Sequence, residues 1–116
     1  VASFIDFRIG DAVKEAPKLG VKFDLVFIDG DKRTYAEVYD ALLPLVNEGG
    51  IILADNTLWD GHVVEKAYDR DSQTIGIRRF NDHIAKDTRV EKVMVPIRDG
   101  LTIIRKKRKA DASDEK

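Results

Sequence analysis

The sequence has 116 residues, of which 43% are hydrophobic and 35% charged, a composition typical of one globular domain with a modest core. The formal net charge of -1, from 20 basic and 21 acidic residues, argues against a nucleic-acid or membrane-surface partner. Cysteine is absent, which excludes disulfides and thiolate sites, and no bilayer-length apolar run or signal-peptide pattern is present, so we expect a soluble, cytoplasmic protein.

The first elements are a predicted strand and a short helix. Residues 4–9 alternate apolar and polar side chains, which favours a strand. Asp11 is placed to cap a helix over residues 11–19, although Pro17 limits its length. Gly20 then ends this helix.

Residues 23–32 form the central feature of the sequence. They are an apolar run, rich in β-branched and aromatic residues, that predicts a buried strand and stops abruptly in charged residues and a glycine. Polar groups just beyond such a strand lie where open α/β sheets place their sites. We therefore expect Asp29, Asp31 and Lys32 to line the floor of a pocket.

A helix and a second strand follow. Thr34 and Glu37 have the spacing of a capping box, and Pro44 with the glycine-containing residues 47–50 should end the helix. Its apolar positions recur at helical spacing: Tyr35, Val38, Leu42 and Leu45. Residues 51–54 predict a second buried strand, so the three elements form a βαβ unit with parallel strands.

The second strand ends in Asp55 and Asn56, which the parallel arrangement would bring close to Asp29. Carboxylate and amide oxygens suit Mg²⁺, Ca²⁺ or Mn²⁺ rather than zinc or copper. Lys32 would overlook the same place and could remove a proton from a substrate hydroxyl if the cation and burial lowered its pKa. The structural alternative is that Asp and Asn end strands because they make turns and cap helices.

The rest of the chain predicts a loop, a helix and a hairpin. Residues 57–74 form a long irregular segment, expected to be a lid or binding loop. An amphipathic helix is indicated by Ile77, Phe80, Ile84 and Ala85. Residues 90–97 and 101–105 flank an Asp-Gly turn and predict an antiparallel hairpin. The domain thus covers residues 1–106, and residues 107–116 are expected to be a disordered charged tail.

Four segments in order resemble the cation-dependent O-methyltransferases of the caffeoyl-CoA and catechol type. They are FDLVFIDGDK at residues 23–32, LLPL with a following Gly-Gly within residues 42–50, DNTLWDG at residues 55–61 and DGLT at residues 99–102. The resemblance extends from about residue 5 to residue 106, nearly the whole chain. No single motif is decisive, but their order and spacing are specific together.

The resemblance implies a role for several residues. By position these are Asp29, Asp55 and Asn56 as cation ligands, Lys32 as the catalytic base, Asp11 and Ala12 near the adenine of S-adenosylmethionine, with Asp29 also on the cofactor side, and Trp59 beside an aromatic substrate. The implied reaction is transfer of a methyl group from S-adenosylmethionine to a hydroxyl of a small ortho-dihydroxy aromatic, catechol or caffeoyl-type acceptor, with a divalent cation.

The resemblance also implies a Rossmann-like class I methyltransferase fold, an α/β fold with a mostly parallel sheet and a C-terminal antiparallel hairpin. The segments of the family that hold the methionine and ribose of the cofactor precede residue 4 and have no counterpart, so the fold is expected to be truncated at its N-terminus. We therefore expect this chain to bind the cofactor weakly or not at all and to lack full activity by itself. Exposed strand edges would favour self-association, for example as a homodimer.

Two other functions are compatible with parts of the pattern. A phosphoacceptor receiver domain also places an aspartate, here Asp29, after an apolar strand, but its acidic pair and late lysine have no match. The other alternative is a fragment that folds and self-associates without catalytic activity.

Overall fold

The computed structural model describes Asp6 and residues 8–109, with only the backbone of Asp60. The strands are β1 (Phe23–Ile28), β2 (Val46–Asp55), β3 (Val90–Val95) and β4 (Leu101–Lys106), and the α-helices are α1 (Ala12–Glu15), α2 (Tyr35–Leu42) and α3 (Ser72–Ala85). None of the helices in this part of the chain has the length and apolarity needed to cross a membrane.

The four strands form one sheet in the order β1-β2-β4-β3. β1 and β2 are parallel and joined through α2, whereas β4 is antiparallel to both β2 and β3. The predicted α/β fold with a C-terminal hairpin is therefore confirmed. The sheet is mixed rather than mostly parallel, because the described residues contain one βαβ crossover and the hairpin attaches to β2 through β4.

The two long helices cover one face of the sheet, which we call the inner face. The strands contribute buried aliphatic side chains to the core on this face, the α-helices contribute mainly aromatic ones, and Leu43 lies just after α2. The set is Ile28, Val46, Ile52, Ala54, Val90, Ile104, Tyr35, Tyr39, Ile77, Phe80, Ile84 and Leu43. The Phe80 ring meets Tyr35 and Tyr39 edge-on, with centroid distances of 5.4 and 5.9 Å. Such edge-to-face contacts add to the energy of burial and join α2 to α3.

The opposite face, which we call the outer face, is apolar but largely open. Phe27, Leu53, Ile103 and Val93 lie in register across the sheet, and the two at its edges are each 56% exposed. Leu25 on β1 is 61% exposed. The prediction that β1 is a buried strand is therefore wrong, because β1 is an edge strand of the described sheet and the described helices cover only one of its faces.

Aspartate side chains cap the short helical segments that precede β1 and α2. Asp11 caps α1 as predicted, accepting a 3.0 Å hydrogen bond from the Val13 amide, and the helix tightens into a 3₁₀ turn over Ala16–Leu19. The predicted capping box is wrong, since Thr34 makes no side-chain cap. Asp31 is the cap instead: it accepts from the Arg33 amide and begins a 3₁₀ turn over Lys32–Thr34 that leads into α2.

Two other segments differ from their predicted form. Residues 47–50 belong to β2, where they bulge: Phe23 pairs with Val46, yet Leu25 already pairs with Ile51. The long loop contains 3₁₀ turns at Trp59–Val64 and Lys66–Tyr68, and α3 begins at Ser72, capped by Asp71.

Some residues at each end of the chain are not among the described residues. Of the strand predicted at residues 4–9, residues 4, 5 and 7 lie outside the described residues, and Asp6, Arg8 and Ile9 are in no strand. At the other end, the Lys107 amide donates to the Arg89 carbonyl at 3.0 Å, which carries the hairpin one residue beyond β4. Residues 110–116 of the predicted tail lie outside the described residues.

Candidate functional site

The predicted cation ligands lie at the carboxyl ends of β1 and β2. Ile28 at the end of β1 pairs with Ala54 near the end of β2, so Asp29 and Asp55 emerge side by side. Parallel pairing is the physical reason, because it aligns the carboxyl ends of neighbouring strands.

Lys32 and Tyr35 connect the two strand ends. The Lys32 side chain is 8% exposed, and its Nζ donates to Asp29 Oδ1 at 3.0 Å and to the Tyr35 hydroxyl at 2.9 Å. The Tyr35 hydroxyl donates in turn to the Asp55 carbonyl at 2.9 Å. Burial of an ammonium group is tolerated here because it is hydrogen-bonded and paired.

The charge state of Lys32 differs from what a base requires. Burial lowers its pKa, but the hydrogen bonds to Tyr35 and Asp29 and their electrostatic attraction outweigh burial and raise the pKa above its ordinary value. Lys32 is therefore an ammonium at neutral pH in this arrangement. The lowered pKa considered from the sequence requires a bound cation, and without one Tyr35 and Asp29 stabilise the charged form.

Asn56 is held in a defined orientation. Its backbone has φ of 60°, a left-handed conformation that asparagine tolerates better than most residues. Its backbone N–H donates to Asp55 Oδ1 at 2.8 Å, and its side-chain Nδ2 donates to Asp99 Oδ2 at 2.9 Å. The amide oxygen is thus the end of the side chain that could serve as a ligand.

The turn of the C-terminal hairpin fixes the segment after β2. The Leu58 amide donates to the Asp99 carbonyl at 2.6 Å, and the Thr57 amide donates to the Gly100 carbonyl at 3.2 Å. Gly100 has φ of 86°, and a Cβ there would lie 2.7 Å from Leu58 Cγ, so glycine is required on both counts. The Asp-Gly turn predicted as a hairpin signal therefore also positions Asn56.

The donor set fits a hard divalent cation. Two carboxylates and one amide oxygen, from Asp29, Asp55 and Asn56, are ligands that Mg²⁺, Ca²⁺ and Mn²⁺ accept. Within the described part of the chain, no cluster of three or more His, Cys, Asp or Glu side chains is arranged to hold a metal. A bound cation would therefore depend on the amide and on ligands from water or substrate.

A cleft of about 220 Å³ lies beside the end of β1, on the side expected for the cofactor. Ala12, Asp29 and Asp31 are among its lining residues, together with Phe27 and Tyr35. The structure therefore brings Ala12 and Asp29 together. Asp11, by contrast, is not in the lining, and its carboxylate is used as the cap of α1.

Trp59 lies next to the same strand ends. Its ring centroid is 5.9 Å from Lys32 Nζ, within range of a cation–π contact, and its edge meets His62 at 6.2 Å. Its backbone φ of 48° is unusual for a bulky residue. The aromatic ring thus borders the candidate cation site.

Two residues of α3 support the site and were not singled out from the sequence. Gln73 accepts from the Lys32 amide at 3.1 Å and donates to Asp31 Oδ1 at 3.3 Å. Gly76 lets the helix approach closely, because a Cβ there would lie 2.3 Å from the Lys32 carbonyl oxygen. The sequence could have indicated Gly76, because a glycine inside a helical pattern often marks close packing. It contains no comparable indication for Gln73.

Comparison with known proteins identifies the family of this chain. A family model described as O-methyltransferase matches residues 1–107. Tricin synthase 2 from Oryza sativa subsp. japonica is 41% identical over 118 residues, covering 91% of this chain and 40% of that protein. The caffeoyl-CoA O-methyltransferase of Mesembryanthemum crystallinum is 38% identical over 122 residues, covering 91% of this chain and 46% of that protein.

A solved structure of the O-methyltransferase from Bacillus cereus in complex with SAH superposes with a TM-score of 0.77 at 28% identity, covering 86% of this chain and 49% of that one. The chain thus spans less than half the length of the curated relatives cited here. These matches exclude the receiver-domain alternative and bear out the resemblance found in the four sequence segments. The chain belongs to the O-methyltransferase family.

Proposed function

We propose that this chain supplies the cation site and the acceptor-facing loop of an S-adenosylmethionine-dependent, divalent-cation-dependent O-methyltransferase. The proposed acceptor is a small ortho-dihydroxy aromatic of the catechol or caffeoyl type. The observation that carries the proposal is the meeting of Asp29, Asp55 and Asn56 at adjacent strand ends. The names of the relatives support the acceptor class.

In this proposal each residue has a distinct task. Asp29, Asp55 and Asn56 would hold the cation, and Trp59 would lie against the aromatic ring of the acceptor. A bound cation would neutralise the charge of a deprotonated hydroxyl, and S-adenosylmethionine would supply the methyl group. Most of the rate enhancement would then come from positioning and charge neutralisation.

Lys32 would accept the hydroxyl proton in the assembled site. Its ammonium is now stabilised by Asp29, the same carboxylate that is proposed to bind the cation. A positive charge at Asp29 would compete for that carboxylate and favour the neutral amine. The alternative use of Lys32 is to hold Asp29 in place, as it does in this structure.

Trp59 fluorescence offers a test of cation and acceptor together, since Trp59 is the sole tryptophan. Catechol would be titrated into the protein with and without Mg²⁺, with phenol as the ligand control. We expect saturable quenching by catechol that requires Mg²⁺, is absent with phenol and is lost in Asp55→Asn. Asp82→Asn, which removes an exposed charge on α3, should behave like the parent. Quenching that is independent of both Mg²⁺ and Asp55 would contradict the proposal.

Cofactor binding by the 116-residue chain itself is expected to be weak or absent. The chain spans less than half of its cited relatives, and the cleft beside Ala12 and Asp29 is the part of a cofactor site that its described residues form. Calorimetric titration with S-adenosylmethionine tests this expectation. Micromolar affinity would show that these residues suffice for binding.

A non-catalytic, self-associating chain is the second candidate, favoured by the open outer face. Catechol methylation, assayed with S-adenosylmethionine and Mg²⁺, can exclude the non-catalytic candidate, whereas its absence is expected of both because cofactor binding is expected to be weak. Methyl transfer that is lost in Asp55→Asn would exclude a non-catalytic role.

A further inference from the structure

Arg78 makes a concentrated set of contacts with the loop that follows β2. Its guanidinium donates to the backbone carbonyls of Val63 at 3.0 Å, His62 at 3.2 Å and Glu65 at 2.9 Å. A further hydrogen bond, 2.8 Å long, runs to Asp69 Oδ1. One side chain of α3 thus binds the first 3₁₀ turn, the residue that follows it and the residue that ends the second turn.

The loop depends on such restraint because it carries a residue in an unusual conformation. Trp59, which begins the first 3₁₀ turn, has φ of 48°, and a bulky residue stays in this region only where its surroundings enforce it. The ring of His62 stacks on Tyr68 at 3.6 Å and meets Trp59 edge-on. Restraint applied at residues 62–69 therefore reaches the Trp59 ring through His62, in addition to the direct hydrogen bond between the Trp59 and Asp71 side chains.

The contacts need an arginine in particular. A planar guanidinium presents several N–H groups in fixed directions and can bind several carbonyls at once, whereas the ammonium of lysine is a compact point charge on a flexible stem. Arg79, the next residue, points elsewhere: its guanidinium pairs with Glu37 on α2. Arg79 therefore serves as a matched control with the same chemistry on the same helix.

We propose that Arg78 is a positioning residue that fixes the Trp59 ring at the acceptor side of the site. The functional consequence rests on the proposed function, in which Trp59 contacts the acceptor. The geometric claim does not, because it concerns where the ring lies in the free protein. In this account Arg78 touches neither acceptor nor cofactor and acts through residues 62–69.

The test uses the fluorescence of Trp59 in the 116-residue chain without any ligand. The variants are Arg78→Lys and Arg78→Ala, with Arg79→Lys and Arg79→Ala as controls. We expect both Arg78 variants to shift Trp59 emission to longer wavelength and to raise its acrylamide quenching constant about twofold, because the loop loses its restraint. Far-UV circular dichroism should be unchanged in all four variants.

Three outcomes would overturn the proposal. The first is an unchanged emission and quenching constant in both Arg78 variants. The second is an equal change in the Arg79 variants. The third is loss of the folded circular dichroism signal in Arg78→Lys under conditions where Arg79→Lys stays folded, which would make Arg78 a general determinant of folding.

The result is separable from the proposed function. If catechol and Mg²⁺ fail to quench Trp59 in the parent, the acceptor assignment fails, while the ligand-free comparison of Arg78 and Arg79 still decides where the ring is held. If catechol does quench in the parent, Arg78→Lys should weaken its apparent affinity and Arg79→Lys should leave it unchanged. Equal catechol affinity in parent and Arg78→Lys would overturn the functional half of the proposal.

Discussion

The two faces of the sheet are built from similar residues but have different surroundings. On β4, Ile104 points to the inner face and is fully buried, while its neighbour Ile103 points to the outer face and is only partly covered. On β1, Ile28 is 5% exposed and Phe27 is 56% exposed. Apolar residues on both faces are typical of a strand in a sheet that is covered on both sides, whereas the described helices cover one side of this sheet. Composition therefore predicts the strand, but packing decides its burial.

Replacing isoleucines on neighbouring positions of β4 should give the largest difference. Ile104→Ala should lower the free energy of unfolding by about 2–5 kcal/mol, because it leaves a cavity between the sheet and the helices. Ile103→Ala should cost less than about 1 kcal/mol, since its side chain is already partly solvated. Urea unfolding measures both values. Equal losses would mean that the outer face is as well packed as the inner one.

The close approach of α3 to the Lys32 turn gives the second prediction. Gly76→Ala should destabilise the protein by about 1–3 kcal/mol, because the added Cβ overlaps the Lys32 carbonyl. Gly30→Ala is the control, since a Cβ there meets nothing within 4 Å. Thermal and urea unfolding would reveal the difference, and a neutral Gly76→Ala would refute the tight helix–turn contact.

A buried polar cluster also holds the inner layer together. Asp87 accepts from the Tyr39 hydroxyl at 2.8 Å and pairs with Arg89 at 2.8 Å. The hydrogen bond from Arg89 holds the Asp87 pKa well below its usual range, with Tyr39 contributing and burial opposing. The resulting stabilisation is complete above the unfolded-state pKa of about 3.9 and is lost as pH falls toward the folded-state value.

Asp87→Asn tests this cluster. The substitution should cost about 1–3 kcal/mol at neutral pH, and its difference from the parent should shrink as the pH falls below about 4. Urea unfolding at several pH values gives both numbers, with Asp82→Asn as the control. A penalty that stays constant down to acid pH would rule out the ionised Asp87 as its source.

The outer face should affect association more than stability. Phe27→Ser is expected to change the free energy of unfolding by less than about 1 kcal/mol, because the side chain is mostly exposed. If copies of the chain associate through this face, the variant should also shift the protein toward monomer in sedimentation experiments. Unaltered association would locate any self-contact elsewhere, for example at the free edge of β1.

Local patterns predicted most of the fold. The two segments that flank the Asp-Gly turn predicted the hairpin, and parallel pairing placed Asp29 beside Asp55 as expected. Asp31 rather than Thr34 supplies the cap because the chain enters α2 through a 3₁₀ turn over Lys32–Thr34, and the glycines at residues 49 and 50 lie in a bulge of β2 instead of the predicted helix stop. Each error concerns a choice between neighbouring residues that sequence spacing cannot distinguish.

Tertiary contacts account for the parts of the site that the sequence left out. Gln73 bonds a backbone group 41 residues away in sequence, and Arg78 bonds one 15 residues away. Every residue has such backbone groups, so the sequence does not indicate which of them a side chain will bind. The charge state of Lys32 likewise depends on Tyr35 and Asp29 together. These features appear only once α3 is packed against the turn and the loop.

Direct binding of Mn²⁺ tests the central claim, that the ends of β1 and β2 form a divalent-cation site. Electron paramagnetic resonance would follow the free Mn²⁺ signal during titration of the parent, Asp55→Asn and the control Asp82→Asn. The account predicts one saturable site in the parent and in Asp82→Asn, and at least about tenfold weaker binding in Asp55→Asn because a charged ligand is lost. Superimposable titrations of the parent and Asp55→Asn, or no saturable binding in the parent, would contradict it.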